Sequence, residues 1–251
     1  MGIHTTDAIV LRQYPYRETS VLVTCLTDRF GKIKGLVKGL HVPMSRHRSP
    51  MEPLTLNRVV FYDTRSSQLH LMSQCDLLEA FTAIQLDLGT ARIAASCVEL
   101  ADVLLELDEP HPEVFHLLKN TLARLACAGQ EAQAIRIVFV LNLLRLTGFH
   151  PQLDECTGCG GRPASRGFWS VAQGGLLCES CLHRDPRAEA VEPQWFERLA
   201  HSSENGAIPF DPEQVTTMQR RLDEFLRWRL ERPLKTLESA DSVQRRAESN
   251  T

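Results

Sequence analysis

The chain has no long apolar run. Crossing a bilayer takes roughly 18 to 20 consecutive apolar residues, and the greasiest stretch here, Ile135 to Leu146, is broken by Arg136, Asn142 and Arg145. No membrane partner is expected. The opening MGIHTTDAIV lacks the basic segment followed by an apolar one that marks a secretory leader, so the cysteines are expected to be reduced thiols in the cytoplasm. Also missing are the G-x-x-x-x-G-K-[ST] phosphate loop, the H-E-x-x-H helix of zinc proteases and the G-x-S-x-G hydrolase elbow. The expectation is therefore a protein that is not an enzyme. Aromatic residues make up only 6% of the chain, which limits any function built on stacking, and no internal repeat points to a solenoid.

What is present is unevenly distributed. The formal net charge over 251 residues is -3, yet residues 1–60 hold nine basic side chains (Arg12, Arg17, Arg29, Lys32, Lys34, Lys38, Arg46, Arg48 and Arg58) against four acidic ones (Asp7, Glu18, Asp28 and Glu52). That is a balance of +5. The remainder has 19 of the 28 basic residues and 27 of the 31 acidic ones, a balance of -8. A basic head on an acidic body suggests a polyanion partner at the N-terminus.

Four of the eight cysteines form the pattern Cys156-x2-Cys159-x18-Cys178-x2-Cys181, the spacing that brings four thiolates to one tetrahedral Zn2+. Glycines surround both pairs (Gly158, Gly160 and Gly161; Gly174 and Gly175) and allow the positive φ that wraps backbone around an ion. Four cysteines fill every position, so the zinc is expected to be structural. The rivals are a disulfide pair, which the missing leader disfavours, a metal-free redox or vestigial site, and a zinc deaminase, because His111-Pro112-Glu113 upstream of a Cys pair imitates the deaminase signature. The imitation fails on Glu155, which stands where a proline is needed, and on the second pair, which it leaves unexplained. Cys25, Cys75, Cys97 and Cys127 sit alone on apolar stretches and read as small core residues.

Period-2 alternation predicts five strands at Thr6 to Tyr14, Thr19 to Thr27, Lys32 to Leu40, Leu56 to Tyr62 and Gln68 to Gln74. Asp28-Arg29-Phe30-Gly31 supplies a tight hairpin. Five short strands with a long loop after the third fit a small closed barrel, for which the OB-fold is the commonest nucleic-acid-binding example. From Asp76 the period changes to about 3.6 and predicts helices at Ala91 to Leu107, Glu113 to Ala128, Glu131 to Thr147, Gln194 to His201 and Pro212 to Glu231. The fold class read from the sequence is α+β: an OB-fold β-barrel over residues 1–76, an all-α helical domain over 77–238 with a zinc knuckle inserted at 154–183, and a polar tail at 239–251.

On the third strand, Lys32, Lys34 and Leu36 share one face and Ile33, Gly35 and Val37 the other. The loop from Gly39 to Pro50 carries Arg46, His47 and Arg48 among small residues and prolines and reads as a mobile cationic arm. The charges alone would equally suit a solvated surface. Their coincidence with a barrel makes Lys32, Lys34, Lys38, Arg46 and Arg48 candidates for contacts to nucleic-acid phosphates. Scarce aromatics imply backbone tracking with little sequence preference.

The fragments Ala8-Ile9-Val10-Leu11, Glu18-Thr19-Ser20, Leu26-Thr27, Gly31-Lys32, Val37-Lys38-Gly39 and Ser45, followed by Gly148-Phe149-His150-Pro151-Gln152-Leu153-Asp154-Glu155-Cys156-Thr157-Gly158-Cys159-Gly160, resemble the RecO family of bacterial DNA-repair proteins, in order and over nearly the whole chain. The resemblance implies an N-terminal OB-fold, a helical domain and a zinc knuckle. It further implies a non-enzymatic role in the RecF pathway of recombination: binding single- and double-stranded DNA, annealing complementary strands, and acting with RecR to help RecA replace single-strand-binding protein. Such a protein would be cytoplasmic and associated with the nucleoid. Lys38, Arg46, Arg48 and the four cysteines occupy matching positions, whereas Met44 stands where members commonly have a basic residue. Members also dock the acidic C-terminal tail of single-strand-binding protein on the helical domain, with Arg136 and Arg145 as candidates for its carboxylates. The other reading is a zinc-containing RNA-binding or transcription accessory protein, which would prefer RNA through its 2′-hydroxyls.

Overall fold

The computed structural model describes residues 2–42, 44–63, 68–163, 166–191, 212–230 and 234–236. The expected helix at Gln194 to His201 and the tail at 239–251 lie outside the described residues. The chain divides into two compact units, 1–132 and 133–251.

The first unit opens with β1 (Ile3–Tyr16), β2 (Ser20–Thr27), β3 (Gly31–Val37), β4 (Leu56–Tyr62) and β5 (Leu69–Glu79). They close into a barrel in the order β1-β2-β3-β5-β4, with β3 and β5 parallel and the remaining pairs antiparallel. This is the OB-like barrel expected from the strand pattern. Alternation drives closure: Ala8 and Val10, Val21, Val23 and Cys25, Ile33 and Val37, Val59 and Phe61, and Met72 and Cys75 all point inward and are buried together. The β2–β3 turn works as its sequence requires. Gly31 takes φ +68°, and a Cβ there would sit 1.9 Å from the Glu109 carbonyl oxygen, so only glycine fits. The Thr27 hydroxyl accepts from the Phe30 N–H at 2.9 Å and donates to the Gly31 carbonyl at 2.8 Å.

The loop after β3 is not a free arm. His47 is buried, with its Nε2 3.1 Å from the Lys38 carbonyl; the Arg48 N–H donates to the Cys75 carbonyl at 2.8 Å; and Met51 joins the barrel core. An apolar side chain and two backbone anchors override the proline-rich, polar composition that suggested mobility.

Three helices complete the unit: α1 (Thr82–Leu86), α2 (Leu88–Leu104) and α3 (Pro112–Leu125). α1 is too short to show a helical period in the sequence. α2 starts earlier than its apolar stripe predicts because the Asp87 carboxylate caps it, accepting from the Thr90 N–H at 2.7 Å. That bond holds the Asp87 pKa below the usual carboxylate range. Cys25, Cys75 and Cys97 are buried as expected; Cys127 is exposed because the chain has already left α3.

The second unit contains α4 (Ala132–Leu146) and α5 (Pro212–Arg229) and, between them, β6 (Gly167–Ser170), β7 (Gly175–Leu177) and β8 (Glu189–Val191) in the antiparallel order β7-β6-β8. α4 is buried along most of its length, as its apolar circumference predicts. Its one fully buried cation, Arg136, meets Asp223 of α5 at 2.7 Å. The small sheet was not foreseen. Its strands of three or four residues are shorter than any alternation can reveal.

A candidate nucleic-acid face and a candidate metal centre

The outer face of β1-β2-β3 is divided in two. Toward one end, the row Ile9–Leu26–Lys32 is buried, and Lys32 Nζ donates to the Asp102 carbonyl of α2 at 2.6 Å and lies 3.3 Å from Asp102 Oδ1. Arg12 also pairs with the Asp102 carboxylate, through its Nε. Asp102, only 8% exposed, therefore clamps α2 onto two barrel strands. Burial lowers the Arg12 pKa, but the Tyr14 hydroxyl and the charges of Asp102 and Glu99 outweigh it and leave the value raised. Of the five cations expected to meet phosphate, Lys32 is thus committed to an internal carboxylate.

Beyond Arg12 the face is open. Register places Arg12, Thr24 and Lys34 in one cross-strand row, Tyr14, Leu22 and Leu36 in the next, and Tyr16 and Ser20 in a third. Lys38 follows directly after β3. Neighbouring rows on one face are about 7 Å apart and neighbouring strands about 4.8 Å. The middle row continues onto β5, where Leu36 is paired with Leu71. The result is an apolar and aromatic band, with Tyr14 51% exposed, flanked by cationic edges. At the Tyr16 end, an open groove of about 880 Å³ is lined by Tyr16, Arg17, Leu36 and Lys38 among others, and the Arg17 guanidinium lies 5.3 Å from the centre of the Tyr16 ring. Lys34, Lys38 and Arg46 are exposed. Arg48 is exposed too, but pairs with Asp76 at 3.5 Å. Sequence reasoning counted Arg12 and Arg17 among the basic residues and Tyr14 and Tyr16 among the few aromatics, but did not bring them to one face. The alternation of Arg12, Tyr14 and Tyr16 on β1 could have signalled an outward stripe, but only cross-strand register shows that it continues through Leu22 to Leu36.

In the second unit the four cysteines do converge. Their sulfur atoms all lie within 4.8 Å of one another, and among the described residues this is the group that could hold a metal ion, with no His111 or Glu113 in it. Thiolate bonds of about 2.3 Å in a tetrahedron space the sulfurs about 3.8 Å apart; Cys159 Sγ and Cys178 Sγ are 3.7 Å apart. The donor set therefore fits a single ion. Backbone supports it: the Gly158 and Cys178 N–H groups donate to Cys156 Sγ at 3.3 and 3.2 Å. Burial would push the Cys156 pKa up, yet these donors win and lower it toward the thiolate. Gly160 and Gly174 take the positive φ expected of the knuckle glycines. Gly158 serves differently, since a Cβ there would lie 2.9 Å from Cys181 Sγ.

A second cavity in this unit, of about 200 Å³, has Phe149, Phe225 and Trp228 in its walls beside His150 and Arg229. The Arg229 guanidinium sits 5.2 Å from the Phe149 ring centre, and Trp228 is 53% exposed. Burial and the nearby charge of Arg145 depress the His150 pKa. Arg136, expected at the rim of such a pocket, is instead buried against Asp223.

Comparison with known proteins agrees with both halves. Residues 1–81 match the family model described as Recombination protein O N terminal, and residues 85–238 match Recombination protein O C terminal. A DNA repair protein RecO from Myxococcus xanthus is 33% identical over 238 residues, covering 95% of this chain and 97% of its own. One from Koribacter versatilis is 32% identical over 241 residues, covering 95% and 98%, and one from Desulforudis audaxviator is 35% identical over 188 residues, covering 75% and 74%. The matches run through the barrel and the cysteine knuckle alike, and the chain belongs to the RecO family of DNA repair proteins.

Proposed function

We propose that the protein is a recombination mediator that holds a single DNA strand on the open face of its barrel and anneals it to a complement without catalytic turnover. The observation that supports this best is the band Tyr14–Leu22–Leu36 between cationic edges. Every base has a π-face that can rest on a tyrosine or an aliphatic side chain, while Lys34 at one edge and Lys38 and Arg17 at the other meet phosphates. Three or four strands about 4.8 Å apart give the band room for two or three nucleotides, and Arg46 on the neighbouring loop extends the charge. Two single strands repel through their phosphates. A protein that neutralises one backbone and leaves the pairing edges accessible lowers that barrier, and needs no acid, base or nucleophile to do so.

In the same reading the four cysteines hold a structural Zn2+, which supplies cross-linking and no chemistry. The aromatic cavity at Phe149, Phe225 and Trp228 is where the acidic C-terminal tail of single-strand-binding protein would dock, with an apolar side chain inside and carboxylates near Arg229 and Arg145. With RecR, the complex would then hand cleared DNA to RecA in the cytoplasm, at the nucleoid.

The test is fluorescence-detected annealing of complementary oligonucleotides, bare or coated with single-strand-binding protein. The native chain is expected to accelerate both reactions. A Lys34, Lys38, Arg46, Arg48 to alanine variant should lose the acceleration, and its log-log salt slope for single-strand binding should fall by about 0.7 for each phosphate no longer neutralised. A Trp228→Ala variant should fail only on coated strands. An unchanged salt slope would remove the barrel face from the account, and tighter binding to RNA than to DNA would favour an RNA-binding role.

A further inference from the structure

The four cysteines are not equivalent. Cys156 is 2% exposed and Cys181 7%, and Cys156 Sγ accepts two backbone N–H bonds. Cys159 is exposed and Cys178 partly so. These two sulfurs are 3.7 Å apart and share the wall of a cavity of about 310 Å³ with Arg162 and Arg166. They also come from the two opposite pairs, so joining them would remove one ligand from each.

We propose that Cys159 and Cys178 form a peroxide-sensitive pair whose oxidation to a disulfide opens the metal centre. The inference rests on the metal reading of the four cysteines. In the first step the Cys159 thiolate sulfur attacks one oxygen of hydrogen peroxide; the O–O bond breaks, a sulfenic acid forms and hydroxide departs. In the second step the Cys178 thiolate attacks the Cys159 sulfur; the S–O bond breaks, the S–S bond forms and a second hydroxide departs. Two thiolates, one peroxide and two protons from solvent give one disulfide and two waters. The two sulfurs together lose two electrons, and the peroxide gains them. Arg162 and Arg166 line the cavity against the one carboxylate of Glu179, and this balance of two cations to one anion favours the departing hydroxide. An ion that has lost two of its four ligands is released, because Cys156 and Cys181 alone cannot enclose it. Reactivity follows exposure, and Cys159 and Cys178 are the two cysteines of the cluster that are not buried, with their sulfurs 3.7 Å apart.

The experiment uses the full chain with Cys127→Ser, which removes the exposed thiol outside the cluster. Metal content is measured first. Hydrogen peroxide is then added in steps while freed metal is read with a chromogenic chelator and disulfides are mapped by differential alkylation and mass spectrometry. Expected are a first disulfide joining Cys159 to Cys178, one metal ion released per disulfide, and reversal by a thiol reductant with added Zn2+. The Arg162→Ala, Arg166→Ala variant should bind metal as the parent does and oxidise several-fold more slowly. A first disulfide that includes Cys156 or Cys181, or metal retained after Cys159 and Cys178 have joined, would overturn the proposal. A chain that binds no metal before peroxide is added overturns the metal reading, and the proposal with it.

Discussion

The barrel and the knuckle solve the same problem, holding a short irregular chain in one shape, by opposite means. The barrel shuts its hydrogen-bonding edges on themselves and fills the interior with thirteen buried side chains. Among the described residues the knuckle's cluster holds Cys156, Leu177 and Cys181, with Phe168, Cys178 and Ala188 packed against them, so three of its six members belong to the four cysteines that could hold a metal ion. A metal ion held by the four cysteines would cross-link this segment and offset part of its ordering entropy. Part of the barrel's outer face is therefore open around Tyr14 and Lys34, whereas the knuckle's cysteines face one another.

Removing the metal should break this contrast most sharply. Structural zinc contributes on the order of 10 kcal/mol or more in small zinc-binding peptides. Cys156→Ser, or chelation of the native protein, should abolish metal binding and expose the amides of Thr157, Leu176 and Cys178, which are bonded within or across the knuckle. Hydrogen exchange measured by mass spectrometry should show that loss while the barrel amides stay protected. Equal loss in the barrel would mean that the two are not energetically separate.

The barrel has its own weak point, and it is electrostatic. Asp102→Ala would leave Lys32, 9% exposed, and Arg12 without their shared carboxylate. Breaking one side of a buried ion pair costs about 3–5 kcal/mol, so denaturant unfolding of this variant should show a loss of that order with metal content unchanged. Asp102→Glu should recover part of it. A loss below about 1 kcal/mol, the range of exposed ion pairs, would show that the clamp is not needed.

Asp102 also shows where sequence reading stops. The barrel was legible because alternation and a glycine turn are local signals, and the cysteine cluster because two close pairs announce themselves by spacing. Asp102 was not, since it falls among Cys97, Leu100 and Ala101 on a stripe that a helical period marks as apolar; its partners Lys32 and Arg12 lie on strands far back in the chain. The aromatic band was hidden for a similar reason. Tyr14 and Leu36 belong to different strands, and nothing local says that Leu22 stands between them. Lys32 and Lys34 show the converse error: they share a face by period, but α2 covers one and leaves the other open.

The open face can be probed more finely than by charge removal. Base stacking on an aromatic side chain contributes about 1–3 kcal/mol per base. Tyr14→Ala should therefore weaken single-strand binding by roughly 5- to 150-fold, at an RT of about 0.6 kcal/mol, while leaving the salt slope unchanged. Lys34→Ala should do the reverse, with a smaller loss of affinity and a shallower slope. If Tyr14→Ala flattened the slope instead, the band would be holding Arg12 in place and not stacking bases.

The smallest expected effect concerns the loop that carries Arg46 and Arg48. Burial lowers the His47 pKa from its ordinary 6.5, outweighing the opposing hydrogen bond to the Lys38 carbonyl. The folded state thus holds neutral imidazole, and the unfolded chain binds the proton more readily. Stability from this residue is complete above pH 6.5 and falls as the pH drops through the unfolded value toward the folded one. In His47→Gln, which keeps a donor for Lys38, the stability of the barrel unit should depend less steeply on pH as it falls below 6.5, by at most one proton's share or ~1.4 kcal/mol per pH unit. His150, whose pKa is also depressed, titrates in both proteins and cancels from the difference. Identical pH profiles would mean that His47 takes up its proton without leaving its site, and that the loop's other anchors, among them the Arg48 backbone bond, the Ser49–Asn57 side-chain bond and Met51, hold it.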